Sequence, residues 1–93
     1  MLVGVCSIEL FLPNSASLKD KRMVLNSIKK RVRNKFNVSI AEVDHEDKWQ
    51  RVSLGLAVVT NERRFIDMTV SEILKLISGE DGVEILQHLV EVY

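Results

Sequence analysis

The sequence predicts an α+β fold whose elements run β-α-β-β-α-β, a four-stranded antiparallel sheet with two helices on one face. Two observations predict it. Apolar side chains alternate with polar or small ones along residues 2–12 and again along 52–58, the period of a strand with one buried face. They recur at three- and four-residue intervals along 18–36 and 65–77, the period of a helix with one buried side.

The first strand places Leu2, Gly4, Cys6, Ile8, Leu10 and Leu12 on one face, and Val3, Val5, Ser7, Glu9 and Phe11 on the other. Pro13-Asn14-Ser15-Ala16 ends it. Ser17, with Asp20 three residues on, has the form of a capping box that opens the first helix. Leu18, Val24, Leu25, Ile28, Val32 and Phe36 then share one side of that helix. Residues Val38–Asp44 and Trp49–Thr60, rich in Val and Ile, read as a hairpin joined by His45-Glu46-Asp47-Lys48. Its second strand buries Val52, Leu54, Leu56 and Val58 and leaves Arg51, Ser53, Gly55 and Ala57 on a wet face.

Asn61 is the expected N-cap of the second helix. Phe65, Ile66, Thr69, Val70, Ile73, Leu74 and Ile77 form its apolar face, and Gly79 ends it. Residues 83–93 read as a fourth strand, with apolar residues on both parities. This order is the split βαβ, or ferredoxin-like, sandwich. Right-handed crossovers put both helices on one sheet face, leave the other open, and set the first and third strands at the centre.

The 93 residues fit one domain over 1–93. A chain this short buries roughly two-thirds of its unfolded surface, so little is left for an elaborate pocket. Its 46% hydrophobic and 28% charged residues are those of a chain that folds by itself. No apolar run approaches the roughly 18 residues that cross a bilayer, and the N-terminus lacks the basic start of a signal peptide. The expected location is the cytoplasm, with no membrane partner. Cys6 has no second cysteine to pair with and falls in an apolar strand pattern, where a thiol acts as a small hydrophobe.

Charge is the strongest functional clue. The net charge is zero, yet residues 17–36 carry eight cations against Asp20 alone, a local +7 that the rest of the chain offsets. Lys19, Arg22, Lys29, Lys30 and Arg33, with Asn26 among them, line one flank of the helix as a continuous stripe. Like charges so spaced repel, and a polyanion would relieve them. The macrodipole accounts for Arg33 and Lys35 without a ligand. The alternative account is a solvated helix, cross-linked to the acidic hairpin turn or to the second helix.

The open sheet face offers Ser7, Glu9, Arg51, Ser53, Gly55 and Ala57, with Phe11 and Trp49 near the ends of the row. Sheets that read single-stranded RNA carry aromatic residues at the centre, and this one does not. Its small residues would admit another sheet or helix. A polar, partly solvated face with a Glu9–Arg51 ion pair is the alternative. Residues 44–47 lack the spaced oxygens of a cation loop, His88 is isolated, and no zinc spacing, phosphate loop, nucleophile elbow or dinucleotide fingerprint occurs. The sequence therefore predicts no catalytic residue, metal or cofactor.

The run Ser17-Leu18-Lys19-Asp20-Lys21-Arg22 and the run Arg33-Asn34-Lys35-Phe36-Asn37-Val38-Ser39-Ile40-Ala41-Glu42-Val43 resemble the YlxP-type family of small bacterial proteins, formerly described as a domain of unknown function. Trp49-Gln50-Arg51 and Leu56-Ala57-Val58-Val59 extend the resemblance over almost the whole chain. It implies a ferredoxin-like fold and supplies no catalytic residues. Genes of the family commonly neighbour those for transcription elongation, translation initiation and ribosome maturation factors, which implies a translation-linked role. The leading expectation is a non-enzymatic accessory protein that contacts ribosomal RNA, or a ribosome assembly intermediate, through the basic flank of the first helix. The alternative is an interaction module or homodimer that uses the open sheet face through Phe11, Trp49, Arg51, Ser53 and Ala57.

Overall fold

The computed structural model describes residues 1–93 and runs β1 (Leu2–Phe11), α1 (Leu18–Lys35), β2 (Ser39–Asp44), β3 (Arg51–Thr60), α2 (Arg63–Ser78) and β4 (Glu84–Val92). Every strand pairing is antiparallel, in the order β2-β3-β1-β4. The predicted ferredoxin-like sandwich is therefore the observed one, with β1 and β3 central. Cys6 pairs with Leu56, Ile8 with Leu54 and Leu10 with Val52, which sets the apolar parity of both strands on the helix side. Leu25, Ile28 and Val32 of α1 and Ile66, Val70, Ile73 and Ile77 of α2 close over them. α2 seats so closely on β1 at Gly4 that a Cβ there would stand 2.5 Å from the Ile66 Cγ2.

The Ser17 hydroxyl caps α1 by accepting the Asp20 N–H at 3.0 Å, while the Asp20 carboxylate accepts the Ala16 N–H at 3.0 Å. The expected box is present, its return bond one residue early. The expected Asn61 cap of α2 is not formed. Thr60 Oγ1 accepts the Glu62 N–H at 3.2 Å, which folds Asn61 into the turn and makes Glu62 the cap residue, without a side-chain bond. Phe65, expected in the core, is 47% exposed, because Ile66, Thr69, Val70, Ile73 and Ile77 already fill the sheet side of α2. Trp49 lies outside the strand, in the loop before Arg51, and is exposed.

Two bulges explain where alternation fails. Leu10 pairs with Ile85 but Glu9 with Gln87, so Leu86 is the extra residue in β4. Ile85 before it and Val90 and Val92 after it all pack on the core despite opposite parity. In β2 the extra residue is Val43, between Glu42 opposite Leu54 and Asp44 opposite Ser53. The bulge turns Asp44 to the open face opposite Ser53, while Glu42 before it shares the helix side with Ile40 by ordinary alternation.

Glu42 meets Lys21 there. Lys21 counts as a surface cation by composition, but it is 1% exposed. Positions 21, 25, 28 and 32 form the buried stripe of α1, and Lys21 opens it. Its ammonium donates to the carbonyls of His45 at 2.7 Å, Lys48 at 2.8 Å and Arg51 at 3.4 Å, with Glu42 Oε2 at 2.8 Å. The β2–β3 turn, with His45 in the left-handed region at φ 65°, is thus wrapped around a fixed cation. Lys21→Met keeps the apolar stem and strips the turn of that charge. It should cost about 3–5 kcal/mol of unfolding free energy in urea titrations, the typical loss when one partner of a buried pair is removed; a change below about 1 kcal/mol would show that the turn holds itself.

Candidate nucleic-acid interface

With Lys21 anchored in the hairpin, the rotation of α1 about its axis is fixed. Its basic flank then lies above the free edge of β2, where Arg33 Nη2 donates to the Ile40 carbonyl at 2.9 Å. On the opposite flank Arg31 pairs with Glu80, just beyond α2. Lys19, Arg22, Asn26, Lys30 and Arg33 are exposed and Lys29 is half-buried, so the structure brings the whole predicted stripe to one surface. None of its five cations joins an ion pair. The pairs in the chain are Lys21–Glu42, Arg31–Glu80, Arg51–Glu9 and Lys75–Glu72, and the His45 imidazole lies beside Glu9. Cross-links from the first helix to the hairpin and to the end of the second helix do exist, but Lys21 and Arg31 make them and the stripe does not.

The open sheet face divides into two halves. At one end Glu9 Oε2 lies 3.7 Å from Arg51 Nη2 and 3.4 Å from His45 Nε2. Ser53 donates to the other oxygen of Glu9. The expected Glu9–Arg51 pair is present. Ser53, expected on the exposed row, is instead 5% exposed beneath this cluster and offers no contact surface. Its hydroxyl and the His45 imidazole both face the one carboxylate.

At the other end Val3 pairs with Val59 and Val5 with Ala57, with Leu89 opposite Ser7 and Tyr93 bonded beside Val3. Val43, Val59, Leu89 and Tyr93 are all more than half exposed there. Of the predicted interface residues, Ala57 alone lies in this apolar half; Phe11, Arg51 and Trp49 are at the polar end. The signal for the missed residues was the pair of odd-numbered valines that opens β1, set against Val59 across the sheet.

Residues 3–90 match the family described as "protein of unknown function (DUF503)". The chain belongs to that family. The uncharacterised protein YlxP of Bacillus subtilis (strain 168) is 39% identical over 83 residues, 89% of this chain and 90% of that protein. Among solved structures, the de novo designed protein Foldit4 superposes with a TM-score of 0.58 at 16% identity, covering 100% of this chain and 97% of the design. A second designed protein, with a ferredoxin fold, gives 0.55 at 14% identity over 98% and 86% of the two chains. Similarity to designs at such identity speaks for the fold alone.

Within the matched DUF503 span, residues 17–22 hold both the Ser17–Asp20 cap and Lys21, which are structural, and Lys19 and Arg22, which are free surface cations. No helix is long and apolar enough to cross a membrane. Cys6 is buried, and burial pushes its thiol above the ordinary range. The folded chain therefore holds that proton more tightly than the unfolded chain. The resulting stability is present at neutral pH and lost as pH rises through the folded value. A thiol-specific reagent at mildly alkaline pH should label Cys6 at the rate of chain opening and reach full labelling only in denaturant; labelling as fast as a free thiol in the native state would contradict that burial.

Proposed function

We propose that this DUF503 protein is a non-enzymatic, translation-linked accessory factor of the bacterial cytoplasm that binds ribosomal RNA, or an assembly particle exposing it, through the flank of α1 above the β2 edge. The observation that carries this reading is the unpaired stripe of Lys19, Arg22, Lys29, Lys30 and Arg33. Acid is not scarce: the chain has 13 Asp and Glu residues. Lys21, Arg31, Arg51 and Lys75 each find a carboxylate partner; Lys35, Lys48, Arg63 and Arg64 do not, and what sets the five of the stripe apart is their alignment on one helix flank without a partner. Cations on adjacent turns cost a helix a few tenths of a kcal/mol per pair, and a polyphosphate backbone turns that repulsion into counterion-releasing contacts. The rigid helix presents them as a row. The gene neighbourhood implied by the family resemblance supports ribosomal RNA as the polyanion.

Engaging five phosphates gives a slope of roughly −3.5 to −4.5 for log affinity against log salt. Reversing Lys19, Arg22 and Lys30 to Glu should flatten it by roughly 2 to 3. These three are fully at the surface, whereas Arg33 also holds the Ile40 carbonyl and Lys29 is half-buried. Co-sedimentation with ribosomal subunits and precursor particles across a salt series reads both quantities, and binding indifferent to salt and to the reversals would rule the reading out.

The apolar half of the open face supports a second role, self-association. Val3, Val5, Val59, Leu89 and Tyr93 surround Glu91, which the Tyr93 hydroxyl caps at 2.8 Å, on the side of the sheet away from both helices, so a dimer made there leaves both stripes outward. Ala57 borders this group, directly opposite Val5. Sedimentation over a concentration series should give a dimer that Ala57→Arg converts to monomer without loss of helicity; a wild-type monomer at every concentration would count against it.

A further inference from the structure

The seam between α1 and α2 holds an apolar cleft that the stripe does not explain. On α2, Phe65 is 47% and Met68 58% exposed, and both turn away from the sheet. With Phe36, the residue that ends α1, and with Lys35, Asn37 and Thr69, they line a cleft of about 250 Å³. This cleft shares Lys35 and Glu72 with a polar groove of about 440 Å³, which continues along the seam past Arg31, Asn34 and Lys75. Arg31 is already held by Glu80, and Lys75 lies 3.6 Å from Glu72. Lys35 is in no ion pair, and it stands where the apolar cleft and the polar groove meet.

An occupant that satisfies this seam has a flat apolar body for Phe36, Phe65 and Met68, polar edges for Asn37 and Thr69, and a negative charge within one residue's reach for Lys35. A nucleotide has all three. The cleft is smaller than the roughly 300–1,000 Å³ of ordinary small-molecule sites, which suits one residue of a larger ligand better than a free cofactor. Base–aromatic stacking beside a basic track is how unpaired nucleic acid is commonly held. Arg33 and Lys35 lie two residues apart in sequence but about 200° around the helix, on opposite flanks, so a strand leaving the stripe reaches the seam by turning around the end of α1.

We propose that the inter-helix cleft takes one unpaired RNA base, stacked on the Phe36–Phe65–Met68 wall with its phosphate on Lys35. The proposal rests on the reading of α1 as an RNA-binding helix. It makes the preferred ligand a duplex flanked by single strand rather than a blunt duplex.

The test compares a blunt fluorescein-labelled RNA duplex, the same duplex with a short single-stranded overhang, and the same overhang made abasic, by anisotropy at fixed salt. The wild type should favour the overhang by about tenfold, within the range expected for one base–aromatic stack, and lose the preference when the bases are removed. Phe65→Ala with Met68→Ala, both surface positions, should erase the preference and leave blunt-duplex affinity unchanged; Lys35→Glu should erase it as well. Equal wild-type affinity for blunt and overhanging duplex, or a preference that survives the double substitution, overturns the cleft proposal. If blunt-duplex binding still responds to the Lys19, Arg22 and Lys30 reversals in that case, the α1 reading stands without it. If the wild type binds none of the three RNAs, both fall.

Discussion

The architecture depends on one buried ammonium. Lys21 occupies a core position of α1, yet its charge is not left in an apolar medium: turn carbonyls and the Glu42 carboxylate replace its hydration shell. The cage ties the first turn of α1 to the bulged strand β2 and the hairpin turn that follows it. Buried ion pairs often add little net stability relative to an apolar substitute. What this one supplies is geometry. It holds the turn against the cost of a left-handed His45, and it fixes the rotation of α1, which decides which side chains face outward.

From that rotation the electrostatics follow. A neutral chain could have scattered its charges into local pairs. Here the carboxylates meet cations at the hairpin, on the polar end of the sheet and beyond α2, and the flank of α1 over β2 is left without one. Arg33 shows how tightly the flank is built into the fold, since it bonds the edge strand while remaining at the surface. The stripe is therefore a rigid surface whose position is set by the core.

Most of the fold was legible because two periods carry it: the even residues of β1 and β3 and the three-four spacing of both helices. The failures are local and have physical causes. Val43 and Leu86 are single extra residues, and a one-residue bulge inverts the parity on which a strand reading rests. Lys21 was counted by its charge, although its spacing from Leu25, Ile28 and Val32 put it in the buried stripe. Ser53 was read as exposed because its alternation is right, but no local pattern reveals that Glu9 and Arg51 cover it from another strand and from its own. Phe65 was assigned to the core by its spacing from Thr69 at the margin of a broad apolar face, where the helix side was already full.

The misplaced apolar residues sharpen the functional argument. A chain of 93 residues has a small core, so large side chains left outside it weaken the case for a lone soluble fold as the whole purpose of the sequence. Scattered exposure would mean nothing. Of the ten such residues, Met1, Met23, Val43, Trp49 and Leu86 stand apart, but five are gathered: Val59, Leu89 and Tyr93 on the open face, Phe65 and Met68 at the helix seam. The sheet separates the two groups, so occupation of one does not obstruct the other. The second lies beside Lys35 at the end of α1, and the proposed base contact rests on that adjacency.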